Sequence, residues 1–223
     1  MEAPFNFNEL KRNPNTPIGH YFSEHFYFIE TKVMPINIDL QKTYFHENLL
    51  KAIDCVEYND KYYTCYPKIE ETINVYDLSY EERIKSIKSL VEIIMSLHEN
   101  GIIHGDIQLR NIMIAKSLHL IDLENLSIEN SIYARFMKVP ELILGGKLNK
   151  KTDIFMLSLL IYEILNETVI PHFDTPIANI CYIKTLKPIK NKLNDEMFES
   201  ICKGLSIDPL ERNINAQEIY NSF

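Results

Sequence analysis

The chain has 223 residues, 46% hydrophobic and 24% charged, which suits one packed domain or two small lobes and is too apolar for disorder. A net charge of −8 and a pI near 5.4 lack the basic surplus of a nucleic-acid binder or an anionic-membrane binder. The four scattered cysteines, Cys55, Cys65, Cys181 and Cys202, make no CxxC pair or zinc spacing and read as reduced thiols of a cytoplasmic protein.

Met1-Glu2-Ala3-Pro4 opens into a polar stretch unlike a signal peptide. The next residues are rich in Tyr, Phe, Val and Ile, and strands are expected over 20–23, 25–33, 52–58 and 61–68. Asn59-Asp60 is a hairpin turn between the last two, and 39–51 has helical character. A long helix is expected over 79–100. Ser79-Tyr80-Glu81-Glu82 forms its capping box, Ile84, Ile87, Val91, Ile94 and Leu97 its apolar stripe, and Asn100-Gly101 its stop. A second helix, 151–166, is apolar nearly all round and belongs in the centre of a domain. Its apolar run is broken by Ser158, Tyr162 and Glu163 and is too short to cross a bilayer. A β-rich first part followed by helices is an α+β arrangement.

Directly after the long helix comes Ile102-Ile103-His104-Gly105-Asp106-Ile107-Gln108-Leu109-Arg110-Asn111-Ile112-Met113-Ile114. Leu118-His119-Leu120-Ile121-Asp122-Leu123-Glu124 follows after a turn. These read as two short apolar strands and a loop that together present Asp106, Asn111 and Asp122. Two carboxylates and an amide oxygen are hard ligands suited to Mg²⁺, which keeps positions for water and phosphate.

H-G-D-x-x-x-x-N followed by Asp122 resembles the catalytic loop and metal-binding Asp of the protein kinase superfamily, with Gly105 replacing the usual Arg. Val139-Pro140-Glu141 resembles the APE motif, and Asp153-Ile154-Phe155-Met156-Leu157-Ser158-Leu159 resembles the D-x-W-S-x-G stretch. Asp208-Pro209-Leu210-Glu211-Arg212 resembles the D-P-x-x-R segment. The resemblance implies a bilobal kinase-like domain over 1–223, with an N-lobe over about 1–68, a C-lobe over about 69–223, and the adenine of ATP near the connector 66–69. It implies that Asp106 orients the acceptor hydroxyl, that Asn111 and Asp122 hold Mg²⁺, and that Asp153 holds the catalytic loop by its backbone N–H groups. Glu141 and Arg212 are implied to form a buried ion pair. In the first lobe, Thr31-Lys32-Val33-Met34 resembles V-A-I-K, so Lys32 is the candidate phosphate lysine and Glu47, on the first helix, its partner. Of the Gly-rich loop only Gly19 precedes Lys32.

The function so implied is transfer of the γ-phosphoryl group of ATP to a hydroxyl on a protein substrate, Ser or Thr, with Mg²⁺ as cofactor. H-G-D with D-x-E is also similar to the aminoglycoside and choline kinases, which act on small molecules, and a pseudokinase binding module is a third reading. Asp122-Leu123-Glu124 in place of D-F-G lacks the flexible glycine, and Gly105 removes the usual partner of a loop phosphate. A constitutively competent enzyme is therefore expected, with phosphates on Ser127, Ser131 or Tyr133 unpartnered unless Arg110 or Arg135 serves. Gln108 stands where Ser/Thr kinases usually carry Lys. Richness in Ile, Asn, Lys and Tyr, without Trp, is the composition of AT-rich genomes, which admits a viral kinase or a bacterial effector acting in a host cell.

Overall fold

The computed structural model describes residues 10–12, 19–69, 71–123, 127–128, 139–171, 175–186 and 193–223. The first part is an antiparallel sheet in the order β1-β2-β3-β5-β4, built from β1 (Lys11–Arg12), β2 (His20–Phe22), β3 (Phe26–Thr31), β4 (Asp54–Tyr58) and β5 (Lys61–Pro67). Asn59 and Asp60 both take positive φ, 50° and 58°, the turn geometry that matches the twist of a hairpin. Register divides the sheet into two faces. His20 lies opposite Ile29 and Phe22 opposite Tyr27, while Ile29 and Tyr27 face Thr64 and Tyr66. Thr64 and Tyr66 are buried, and Tyr66 meets the short helix α1 (Ile38–Lys42), so this is the inner face. The alternate row, Tyr21, Phe28, Glu30, Tyr63 and Cys65, forms the outer face with its own small apolar cluster around Phe28.

The expected helix over 39–51 is corrected: α1 ends at Lys42, and Thr43 is extended. Beyond it Leu120 N–H donates to the Asn48 carbonyl and Leu50 N–H to the Leu120 carbonyl. Thr43, Tyr44, Phe45, His46 and Asn48 are weak helix formers, and backbone pairing with the second part of the chain takes their place.

The second part is helical. Ser79 caps α2 (Tyr80–Glu99) with the reciprocal box to Glu82, and Gly101 follows with φ +71°. Two small ladders come next, β6 (Ile102–Ile103) paired later with β9 (Ser127–Ile128), and β7 (Ile112–Ile114) with β8 (Leu118–Leu120). Then follow α3 (Pro140–Ile143), α4 (Lys150–Asn166), α5 (Pro176–Thr185), α6 (Asp195–Gly204) and α7 (Ala216–Asn221). Helix α4 is buried from Thr152 to Leu165, as its all-round apolar surface requires, and α2 and α6 pack against it. At the α4–α6 crossing Gly204 sits so close to Ser158 that a Cβ there would overlap the Ser158 side chain. No helix among the described residues is long and apolar enough to cross a membrane.

Candidate active site

The site grows from α4. Asp153, fully buried, accepts the backbone N–H groups of His104 and Gly105, each at 2.9 Å, and meets His98 Nε2 at 3.0 Å. Two successive N–H groups converge on one carboxylate because Gly105 takes φ +75°, a conformation costly for any residue with a Cβ. Those bonds offset the desolvation of the Asp153 charge. His104 is also fully buried and accepts the Asp106 N–H on Nδ1 at 3.2 Å. Burial pushes its pKa down, outweighing the nearby carboxylates of Asp153, Asp106 and Asp122, so it serves as a neutral acceptor.

The loop thus fixed presents Asp106, 2% exposed. Burial raises its carboxyl pKa and the Asp122 charge adds to the rise, while the Asn111 side chain, Arg110 and His104 oppose it. Gln108 Nε2 donates to one Asp106 oxygen, and the largely exposed Arg110 brings Nη2 to 3.5 Å from the other. Asn111 ends a 3-10 turn, and its Nδ2 donates to the Asp106 carbonyl at 2.8 Å, which leaves its Oδ1 for a ligand. The Ile121 N–H donates to the Asn111 carbonyl at 2.9 Å and so ties the strand leading to Asp122 onto the loop.

Asp122 stands just past β8 in the left-handed region, φ +63°, with no hydrogen-bond donor to its carboxylate among the described residues. A non-glycine residue held there stores strain of about 1 kcal/mol or more, a feature that concentrates at functional sites. Among the described residues no three His, Cys, Asp or Glu side chains gather into a metal cluster. The donor set, one free carboxylate and one amide oxygen beside an open loop, nevertheless fits Mg²⁺, which takes few protein ligands and completes its shell with phosphate and water.

Behind the loop, Arg212 is fully buried. It donates Nη1 to Glu141 Oε1 at 2.7 Å and Nη2 to Glu141 Oε2 at 3.1 Å, bonds the Ser206 and Lys151 carbonyls, and lies 4.8 Å from the Phe155 ring centroid. The bidentate pair fastens α3, which follows the segment 124–138, to the base of the helical part.

The first-lobe residues are placed differently. Gly19 has φ +99°, and its carbonyl accepts the Glu30 N–H at 2.7 Å; a Cβ there would lie 3.3 Å from the Glu30 carbonyl oxygen. Lys32 lies in the bend past the end of β3 and is exposed. Glu47 is exposed in a turn beyond α1. No ion pair joins Lys32 and Glu47: Lys32 is exposed in the bend after β3, and the early end of α1 removes the helix that was to carry Glu47. The expected adenine connector 66–69 begins inside β5, where the Tyr66 side chain points to α1.

The protein kinase domain model matches residues 28–222. The chain belongs to the protein kinase family. A serine/threonine-protein kinase of Acanthamoeba polyphaga mimivirus is 30% identical over 195 residues, covering 75% of this chain and 70% of that one. PrkC, a serine/threonine-protein kinase of Bacillus subtilis, is 25% identical over 198 residues, covering 78% of this chain and 30% of the relative. The kinase fold is shared with a chain of the yeast RNA Pol II CTD kinase CTDK-1 complex, with a TM-score of 0.79 at 16% identity, covering 100% of this chain and 94% of that one.

Beside the backbone pairing of Asn48 and Leu50 with Leu120, a neutral chain that the sequence did not reveal ties the first lobe of this kinase to the segment of Asp122. Gln41, fully buried on α1, accepts the Tyr66 hydroxyl and donates Nε2 to Asn37 Oδ1 at 2.7 Å. Asn37 Nδ2 donates to the Leu123 carbonyl, next to Asp122, at 3.2 Å. Glutamine, asparagine and tyrosine carry no motif signal, so no pattern could have singled them out. A cavity of about 480 Å³ opens elsewhere, between α2, α4 and the segment 212–218, and is lined by neither Asp106 nor Asp122. Ser131, Tyr133 and Arg135, and the side chain of Ser127, lie outside the described residues.

Proposed function

We propose that this kinase transfers the γ-phosphoryl group of ATP to a serine or threonine hydroxyl of a protein substrate. The observation that carries the reading is the clamp: Asp153, through the His104 and Gly105 N–H groups, fixes a loop that sets Asp106 and Asn111 beside Asp122. Several relatives are named serine/threonine-protein kinases, which favours those acceptors.

Phosphoryl transfer asks the protein chiefly for position and charge complementarity. Asp106 accepts a hydrogen bond from the acceptor hydroxyl and lines its oxygen up for in-line attack. Its raised pKa makes it a stronger acceptor of that proton than an ordinary surface carboxylate. Asn111 Oδ1 and the Asp122 carboxylate hold Mg²⁺, which when bound neutralises charge on the phosphate oxygens. Gln108 and Arg110 keep Asp106 oriented at the lip.

The test is incubation with γ-labelled ATP and Mg²⁺ against a cell lysate and generic protein acceptors, followed by phosphoamino-acid analysis. Label on phosphoserine or phosphothreonine that vanishes with Asp106→Asn is the expected result. Label on small molecules alone, or none, overturns the reading.

A further inference from the structure

A kinase site needs a donor on the sheet side of the cleft to meet the nucleotide phosphates, and here the sheet's inner face offers no lysine on β3. That row reads Tyr27, Ile29, Thr31, and Lys32 lies past the strand end, exposed in a bend. Lys42 and Lys61 are engaged by Asp54 at 2.9 Å and Glu30 at 2.7 Å. Lys11 shares the inner row with Phe22 but sits exposed on the two-residue edge strand.

His20 is placed differently. It follows Gly19 directly, lies on the inner face opposite Ile29, and is half-buried. Its Nδ1 is 2.5 Å from the Tyr27 hydroxyl, a diagonal cross-strand contact on that face. No group among the described residues bonds its Nε2. The same face reaches the residue after Asp122 through Tyr66, Gln41 and Asn37, and burial lowers the ring's pKa while the Asp122 charge raises it.

We propose that His20 binds the nucleotide phosphates from the sheet side, donating its Nε2–H to a phosphate oxygen in the place the family gives to a lysine. Tyr27 fixes the donor. With the Tyr27 hydroxyl donating to Nδ1, the neutral ring carries its proton on Nε2, and an anionic oxygen selects that tautomer. Gly19 contributes by its backbone: φ +99° lets its carbonyl accept the Glu30 N–H and starts β2 in the register that puts His20 inward. The role is binding and orientation, and needs no proton transfer.

The inference rests on the kinase reading above, and one set of titrations separates the two. Dissociation constants for ATP·Mg²⁺ and for adenosine are measured by calorimetry on wild type, His20→Ala, His20→Gln, Lys11→Ala, Lys32→Ala and Asp122→Asn, each checked for folding by circular dichroism. His20→Ala is expected to weaken ATP·Mg²⁺ about tenfold, the scale of one lost hydrogen bond to a charged group, and to leave adenosine within about twofold. His20→Gln keeps an N–H donor and should recover most of the loss even if the alanine variant misfolds. Lys11→Ala and Lys32→Ala should change neither constant. The inference is overturned if His20→Ala and His20→Gln both bind ATP·Mg²⁺ like wild type. It is overturned too if they weaken adenosine as much as ATP, or if either lysine variant carries the loss. Asp122→Asn tests the underlying reading alone: if it binds ATP·Mg²⁺ like wild type, the site assignment fails whatever His20 does. A wild type that binds no ATP·Mg²⁺ sinks both.

Discussion

The two lobes of this kinase hold their functional groups by opposite means. In the helical lobe the buried polar groups that position the site are held by fixed partners. Asp153 holds two backbone N–H groups and His98, Asn111 holds the Asp106 carbonyl, and Arg212 holds Glu141. In the sheet lobe the ionic residues that resemble family motifs, Lys32 and Glu47, are exposed and form no ion pair with each other, and the ties to the Asp122 segment are backbone pairs with Leu120 and the neutral chain Tyr66–Gln41–Asn37–Leu123. Buried charges demand fixed partners, so they specify one loop geometry, whereas neutral amides can be desolvated cheaply and tolerate a shortened helix. The position of a catalytic group is over-determined in one lobe and lightly held in the other.

That contrast is sharpest in the expected loss of turnover. Asp122→Ala should lower transfer by about a thousandfold or more with the melting temperature nearly unchanged, since its carboxylate accepts no hydrogen bond from the described residues. Asp106→Asn should cost about 10²–10⁴ in rate and keep ATP·Mg²⁺ binding. Lys32→Ala should cost neither. Radiolabel transfer and a nucleotide thermal shift read all three, and a Lys32→Ala variant as dead as Asp122→Ala would erase the asymmetry between the lobes.

The next effects are on stability. Arg212→Ala strands the buried Glu141 carboxylate and should destabilise by about 3–5 kcal/mol, with partial recovery in Glu141→Ala plus Arg212→Ala. Gln41→Ala removes the acceptor of the Tyr66 hydroxyl and the amide that donates to Asn37 Oδ1, and should cost about 1–3 kcal/mol. Tyr66→Phe on the Gln41→Met background should recover part of that, because both ends of one bond are then apolar. Denaturant unfolding measures each. If Gln41→Ala costs as much as Arg212→Ala, the sheet lobe is as tightly specified as the helical one.

The same contrast explains what was legible in the sequence. Asp106, Asn111 and Asp122 lie within one short stretch bounded by apolar strands, and Ser79, Glu82 and Gly101 mark the helix before it, so local chemistry and local structure agree. Glu141 and Arg212 were recoverable because ionisable residues stood in motif order. The sheet lobe was not. Helical character over 39–51 lost to pairing of Asn48 and Leu50 with Leu120, a tertiary contact invisible to local pattern. Lys32 read as the end of a strand, but β3 stops at Thr31 and the chain bends there, a boundary that local pattern does not fix. Gln41 has no ionisable group to attract notice, and its importance comes from being fully buried.

The smallest expected effect tests how the lip of the helical lobe, its one lightly held part, tunes the base. Asp106 must be ionised to accept the proton of an acceptor hydroxyl, so the rate falls as pH drops through its pKa. Burial and then the Asp122 charge move that pKa upward, while Arg110 moves it downward. The acid limb of kcat/KM should therefore lie above the ordinary carboxylate range. Arg110→Ala removes a cation that favours the charged form and should shift the limb to higher pH. The shift should be modest, because Arg110 is largely exposed and water screens it. If Asp122 holds the divalent metal as proposed, the metal would cancel the carboxylate charge that raises the pKa of Asp106. The limb of kcat, measured in the loaded complex, should then lie at lower pH than that of kcat/KM. Profiles of both parameters between about pH 4 and 8 decide it. A limb that Arg110→Ala leaves in place, or moves to lower pH, would show that the guanidinium acts on the acceptor and not on Asp106.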